Sequence, residues 1–143
     1  MAEINEGGCL CGSVRYRVGG NPKVAGVRHC TFCKRRTGSA FGMFAYFDES
    51  AVEITRGDLK TYEYRSDESS RWLKLEFCPN CGTSVTGTAE WAPGARVIFG
   101  GTFDDPNWIK PQVHVWTRSA LHWVVFPVDV EVFDDQTAAA KRA

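Results

Sequence analysis

The sequence predicts a mostly β fold of several short antiparallel strands closed by bound metal, and three observations carry that expectation. Short runs alternate polar and apolar side chains with a period of two. Clusters of turn residues separate them. Six cysteines fall into three close pairs: Cys9 with Cys11, Cys30 with Cys33, and Cys78 with Cys81.

The elements follow from these patterns in chain order. Residues 13–18 (Ser13-Val14-Arg15-Tyr16-Arg17-Val18) alternate, as do 51–55 and 59–65, which predicts half-buried antiparallel strands. Residues 41–47, 71–77, 96–99, 113–116 and 123–133 are further strand candidates. Gly19-Gly20-Asn21-Pro22, Arg56-Gly57-Asp58, Ala92-Pro93-Gly94 and Asp104-Asp105-Pro106-Asn107 supply the turns between them. Only residues 31–36 and 119–122 read as short helical turns. A chain of 143 residues can bury one core and is too short for two large ones, so residues 1–133 read as one domain and 134–143 as a polar tail.

Charge narrows the function classes. The 17 Lys+Arg balance 17 Asp+Glu, which removes the broad attraction behind non-specific binding to nucleic acid or anionic membranes. No run approaches the roughly 18 apolar residues of a membrane helix. Residues 1–10 carry Glu3 and Glu6 and no basic cluster leading into an apolar stretch, so no secretory signal is expected. The expectation is a cytoplasmic protein with neither a membrane nor a nucleic-acid partner.

In such a chain, paired cysteines point to metal thiolates rather than disulfides. Phe77-Cys78-Pro79-Asn80-Cys81-Gly82 reads as a zinc knuckle: a two-residue gap and a tight turn let both sulfurs face one ion, and Gly82 suits a positive φ. A structural zinc needs four ligands. Gly7-Gly8-Cys9-Leu10-Cys11-Gly12 can supply two, because its glycines permit a bend that a plain strand would not. Cys9 and Cys11 are therefore paired with Cys78 and Cys81.

The third pair sits in Arg28-His29-Cys30-Thr31-Phe32-Cys33-Lys34-Arg35-Arg36, which offers two sulfurs, one imidazole and four cations. Two thiolates leave a zinc coordinatively open but bind it more weakly than four. The cations also favour reactive thiolates or anionic ligands. A solvated basic turn with ordinary thiols is the plain alternative. Ligation by His29 is disfavoured, because side chains at i and i+1 diverge.

The five tryptophans and nine phenylalanines are read as core. His114 is expected on the face opposite Val113 and Val115, in solvent. Gly100-Gly101-Thr102-Phe103-Asp104-Asp105 reads as a loop open to close backbone approach, with Asp104 or Asp105 as acceptor. It is not a phosphate loop, since no Lys-Ser/Thr follows.

Together, residues 7–16, the run His29-Cys30-Thr31-Phe32-Cys33-Lys34-Arg35-Arg36-Thr37-Gly38-Ser39, the knuckle at 77–83 and Gly101-Thr102-Phe103-Asp104-Asp105-Pro106 resemble the glutathione-dependent formaldehyde-activating enzyme family, also called the centromere protein V-like domain. The resemblance covers about residues 7–133. It implies an Mss4-like zinc-containing β fold, with structural zinc on Cys9, Cys11, Cys78 and Cys81. It also implies a second, catalytic zinc on a Cys-x-Cys-x-x-Cys motif whose last two positions match Cys30 and Cys33. The first position is Arg28 here, so the second zinc would be weaker, completed by another group, or absent.

The resemblance implies a zinc-dependent carbon–sulfur lyase acting on adducts of glutathione or a related thiol. Cys30 and Cys33 would hold the metal, and Lys34, Arg35 and Arg36 would attract the substrate's carboxylates. The family's matching loop would bring Thr102 and Asp104 near the pocket. The alternative is a non-catalytic zinc-binding domain with a degenerate second site that binds an anionic ligand or partner. A nucleobase deaminase is excluded, because no histidine begins a His-x-Glu and Phe77, not proline, precedes Cys78. A methionine sulfoxide reductase is disfavoured, since no cysteine follows Cys81 and only Cys30 could serve as nucleophile.

Overall fold

The structure is a computed structural model that describes residues 3–67 and 69–135. In chain order its elements are β1 (Ile4–Gly8), β2 (Arg15–Gly19), β3 (Val24–Arg28), α1 (Thr31–Thr37), β4 (Gly42–Asp48) and β5 (Val52–Arg56). They continue with β6 (Lys60–Arg65), β7 (Trp72–Phe77), β8 (Ser84–Ala89), β9 (Ala95–Phe99), β10 (Val113–Val115) and β11 (Glu131–Val132). The first sheet has the order β1-β2-β5 and is antiparallel. The second has eight strands in the order β11-β10-β3-β4-β9-β8-β7-β6. Its pairs are antiparallel except at one end, where β10 runs parallel to both β3 and β11.

Strand alternation assigns the core. On β4, Ala45 and Phe47 face one way and Phe44 and Tyr46 the other, and all four are buried. Ala45 and Phe47 join Tyr16 and Val18 of the small sheet, with Val85, Ile98 and Phe103, in the layer between the sheets. Phe44 and Tyr46 pack with Val97, Val113 and Val115 on the opposite face. A smaller cluster of Leu73, Leu75 and Ala89 lies under Phe32 of α1, which stacks on Tyr64 with centroids 4.2 Å apart.

The mostly β reading matches the structure, and the predicted strands at 13–18, 41–47, 51–55, 59–65, 71–77, 96–99 and 113–116 fall on β2, β4, β5, β6, β7, β9 and β10. Residues 31–36 form α1. The predicted strand at 123–133 is corrected: only Glu131–Val132 pairs, because Pro127 interrupts the run and residues 122–123 and 128–129 are turns. The second helical turn is Thr117–Ser119 rather than 119–122. Strands β1, β3 and β8 escaped the pattern, since each contains glycine and lacks bulky alternation. Of the predicted tail, the carbonyls of Asp134 and Asp135 accept from the Arg118 and Trp116 amides, and 136–143 lie outside the described residues.

His114 is also corrected. It is 7% exposed rather than solvated, because β10 lies between β3 and β11 and Phe126 covers its ring at 5.3 Å.

Glycine at position 26 reflects close strand approach. A Cβ there would lie 2.5 Å from the Val113 carbonyl oxygen and 2.6 Å from Val113 Cγ2, forcing β10 away from β3. Gly26→Ala should therefore cost about 2 kcal/mol and lower the melting temperature by roughly 5 °C or more. An unchanged thermal unfolding curve would show that this contact does not constrain the sheet.

Candidate functional site

Two cysteine sites emerge, on different parts of the fold. The first joins the β1–β2 turn to the β7–β8 turn. Cys9 Sγ lies 3.7 Å from Cys11 Sγ, and Cys11 Sγ lies 3.8 Å from Cys78 Sγ. All four sulfurs, including Cys81, fall within 4.8 Å of one another. Thiolates on one tetrahedral zinc are separated by about 3.8 Å, so this donor set fits such an ion.

Local backbone builds each half. Gly12 and Gly82 hold φ of 82° and 81°, closing the two turns. The Gly82 amide donates to the Cys78 carbonyl at 2.8 Å, while the Asn80 and Cys81 amides point at Cys78 Sγ at 3.4 and 3.5 Å. The Val14 amide donates to Cys9 Sγ at 3.2 Å, and Asn80 Nδ2 to Cys11 Sγ at 3.3 Å. Hydrogen bonds to Ser13 and then Asn80 bring Cys11 down to about 7, and bonds to Thr83 bring Cys81 down to about 5. Both shifts favour the thiolates that a metal requires.

Two residues predicted near a pocket lie beside this clip. Thr102 Oγ1 pairs with Tyr16 OH at 2.8 Å, and Asp104 takes a bidentate contact from Arg15 at 2.8 and 2.5 Å. The Arg15 guanidinium also holds the Asp104 carboxyl below its usual range. Gly7 bridges Phe103 between them. These pairs tie the 100–105 loop to β1 and β2.

The second site begins where β3 ends. Cys30 caps α1, accepting a hydrogen bond from the Cys33 amide at 3.4 Å, and Gly38 at φ 66° closes the helix with its amide on the Lys34 carbonyl. This short helix leaves Cys33 only 3% exposed and Cys30 at the surface of a cleft. Two guanidiniums are pinned near the sulfurs by aromatic rings: Arg28 over Trp91 at 5.3 Å and Arg36 over Phe99 at 4.0 Å. Cys33 is brought down to about 6, first by its hydrogen bond from Cys30 and then by Arg28 and Arg36 against the opposing effect of burial. Cys30 is pushed up by the same hydrogen bond and by burial.

The cleft has a volume of about 1330 Å³. Among the described residues, Arg28, Arg35, Arg36, Arg71 and Arg118 line it together with the acids Asp67 and Asp135, with Tyr62, Tyr64, Trp91 and Trp116 as aromatic wall. Trp116 holds a left-handed backbone at φ 58°, and Arg118 lies 4.8 Å over its ring. Arg71, Arg118 and the aromatic wall escaped sequence reasoning. They come from β6, the residue before β7 and the segments after β8 and β10, and no local motif joins them.

Of the predicted site residues, the cleft brings together Cys30, Arg35 and Arg36, with Cys33 beneath. Lys34 lies outside the lining, and its Nζ donates to the Ser119 carbonyl at 2.5 Å. His29 is fully buried, with Nε2 2.8 Å from His114 Nδ1, and burial and then His114 bring it down to about 4. Among the described residues, the Cys9, Cys11, Cys78 and Cys81 group alone gathers three or more Cys, His, Asp or Glu ligand atoms closely enough for one ion. Cys30 and Cys33 belong to no such group among the described residues.

This β scaffold clipped by four thiols defines a class of small metal-binding domains. The family model described as glutathione-dependent formaldehyde-activating enzyme matches residues 4–119, and the chain belongs to that family. None of the curated proteins matches the sequence. A crystal structure of a Rhodobacter sphaeroides protein from a structural genomics programme matches with a TM-score of 0.56 at 22% identity, over 74% of this chain and 91% of that one. That likeness concerns the fold.

The clip makes a direct prediction. Cys78→Ser should lose the bound metal and unfold the domain, because a structural four-thiolate zinc contributes about 10 kcal/mol or more. Native mass spectrometry with circular dichroism checks it. A variant that melts like the parent with metal still bound would sink the assignment.

Proposed function

We propose that the chain makes or breaks the carbon–sulfur bond of thiol–aldehyde adducts, with an anionic thiol such as glutathione bound in the arginine-rich cleft over Cys30. The observation that carries this reading is the excess of arginines around that cleft, in a chain of the formaldehyde-activating family. Zinc serves here as a structural clip on Cys9, Cys11, Cys78 and Cys81.

In the cleft, Arg35, Arg71 and Arg118 take the substrate's carboxylates, where planar guanidiniums give bidentate contacts. The aromatic wall excludes water from the peptide-like body of the ligand. As an S-hydroxymethyl adduct splits, its hydroxyl proton leaves, the carbonyl forms, and the bonding pair moves to sulfur. Arg28 and Arg36 stabilise the developing thiolate. The Cys30–Cys33 pair, sharing one proton between two sulfurs, accepts the hydroxyl proton and returns it to the product thiol. Lys34 acts as a strut between α1 and Ser119, and Thr102 and Asp104 brace the clip. A binding role without catalysis is the second reading, favoured by Arg28 at the position of the missing third thiolate.

Two results test the proposal. Arg35→Ala combined with Arg71→Ala should raise KM for a glutathione adduct about tenfold or more with little change in kcat, while Cys30→Ser should spare the fold and end turnover. Turnover that survives Cys30→Ser would show the reacting centre is elsewhere. Glutathione binding without turnover of any adduct would select the second reading.

A further inference from the structure

The second cysteine pair departs from its family in charge as well as ligand number. Arg28 stands where the motif's first thiolate would be, and its side chain approaches Cys30 and Cys33 closely enough to influence both. Arg36 also donates a hydrogen bond to Cys33. Both guanidiniums are fixed by ring contacts, so they are not free to swing away. A divalent ion on Cys30 and Cys33 would have two ligands and two adjacent fixed positive charges in a partly buried setting, an arrangement that costs desolvation without repaying it. The cavity beside Cys33, Arg28 and Arg36 measures about 10 Å³, space on the scale of one water molecule.

We propose that Cys30 and Cys33 form a metal-free dithiol–disulfide couple, its thiolate charge balanced by Arg28 and Arg36, that exchanges with small anionic disulfides entering the cleft. The pair has the required shape: Cys30 lines the cleft, Cys33 is buried in the first turn of the helix that Cys30 caps, and the Cys33 amide donates to Cys30 Sγ at 3.4 Å. The cleft's arginines select carboxylate-bearing disulfides over neutral ones. This couple shares the cleft with the lyase reading but not its chemistry.

The exchange balances without a metal. Cys30 passes its proton across the hydrogen bond to Cys33 and, as thiolate, attacks one sulfur of the disulfide, whose S–S bond breaks, and one thiolate leaves carrying the electron pair. Cys33 gives that proton to the first departing thiolate, then as thiolate attacks Cys30 Sγ in the mixed disulfide and expels the second thiolate. The one proton that the pair shared ends on one released thiol, the other leaves as thiolate and takes its proton from water, and the cysteine pair is oxidised by two electrons as the small disulfide is reduced.

The probe is glutathione disulfide, added to zinc-loaded full-length protein purified without chelator. Native mass spectrometry should find one zinc per chain before and after the reaction. Peptide mapping should then find a new Cys30–Cys33 disulfide. Cys33→Ser should halt at a glutathione adduct on Cys30. The neutral 2-hydroxyethyl disulfide should react at least about tenfold more slowly at equal concentration. Arg28→Cys should gain a second zinc; if that variant does not fold, the wild-type stoichiometry and the Cys33→Ser adduct still decide. Two zincs on the wild-type chain, no internal disulfide, or equal rates with the neutral reagent would each overturn the proposal. Adduct turnover assayed on the same preparation reports on the lyase reading separately.

Discussion

Four sulfurs within 4.8 Å of one another set the constraint on which the rest of the molecule depends. Four thiolates so close repel strongly, and only a cation at their centre lets them share that space as ligands. Cys9 and Cys11 belong to the turn of the small sheet, while Cys78 and Cys81 belong to a turn of the large one. The clip thus fastens two sheets whose shared layer is otherwise held by Tyr16, Val18, Phe47, Val85, Ile98 and Phe103. The Leu10 amide on Thr83 Oγ1 at 3.1 Å, the Tyr16–Thr102 pair and the Arg15–Asp104 pair extend that fastening around the clip. Polar side chains that a motif would assign to substrate are engaged in holding the frame.

The legible parts of this protein are those with a short-range physical cause. Alternation on β2 is a local consequence of burying one strand face, and cysteine spacing with flanking glycines is a local consequence of aiming two sulfurs at one point. Strands β3 and β8 obey another requirement. Gly26 and Gly87 sit where a neighbour's carbonyl oxygen lies 2.5 Å from any added Cβ, so the residue is chosen by a partner strand that the sequence does not reveal. His114 shows the same limit: a polar residue between valines reads as solvent-facing, yet His29 comes from a distant strand end to meet it at 2.8 Å.

The cleft was legible only on one side. Cys30, Arg35 and Arg36 announce themselves in one contiguous run, but Arg71, Arg118 and the rings of Tyr62, Trp91 and Trp116 are assembled by the order of strands in the large sheet. A net charge of zero does not disclose this, because it says nothing of where the charges sit. Asp104 pairs with Arg15, Glu53 with Arg17, Asp48 with Lys23, and Glu49 and Glu76 with Arg96. Overall neutrality is compatible with an arginine-lined cleft, because a sum over the chain does not fix where its charges lie.

The two cysteine sites solve one electrostatic problem in two ways. At the clip, hydrogen-bond donors from Val14, Asn80 and Cys81 supply only partial charge, which suits four sulfurs that share a divalent ion. At the second site, Arg28 and Arg36 supply whole charges to only two sulfurs, so negative charge there is compensated before any metal arrives. Guanidinium cannot act as a Lewis acid, but it orients and stabilises an anion without occupying the sulfur's reactive lone pair. Replacing one ligand by arginine therefore changes more than affinity for zinc. On both proposals for the cleft, it leaves a thiolate free for proton transfer or attack.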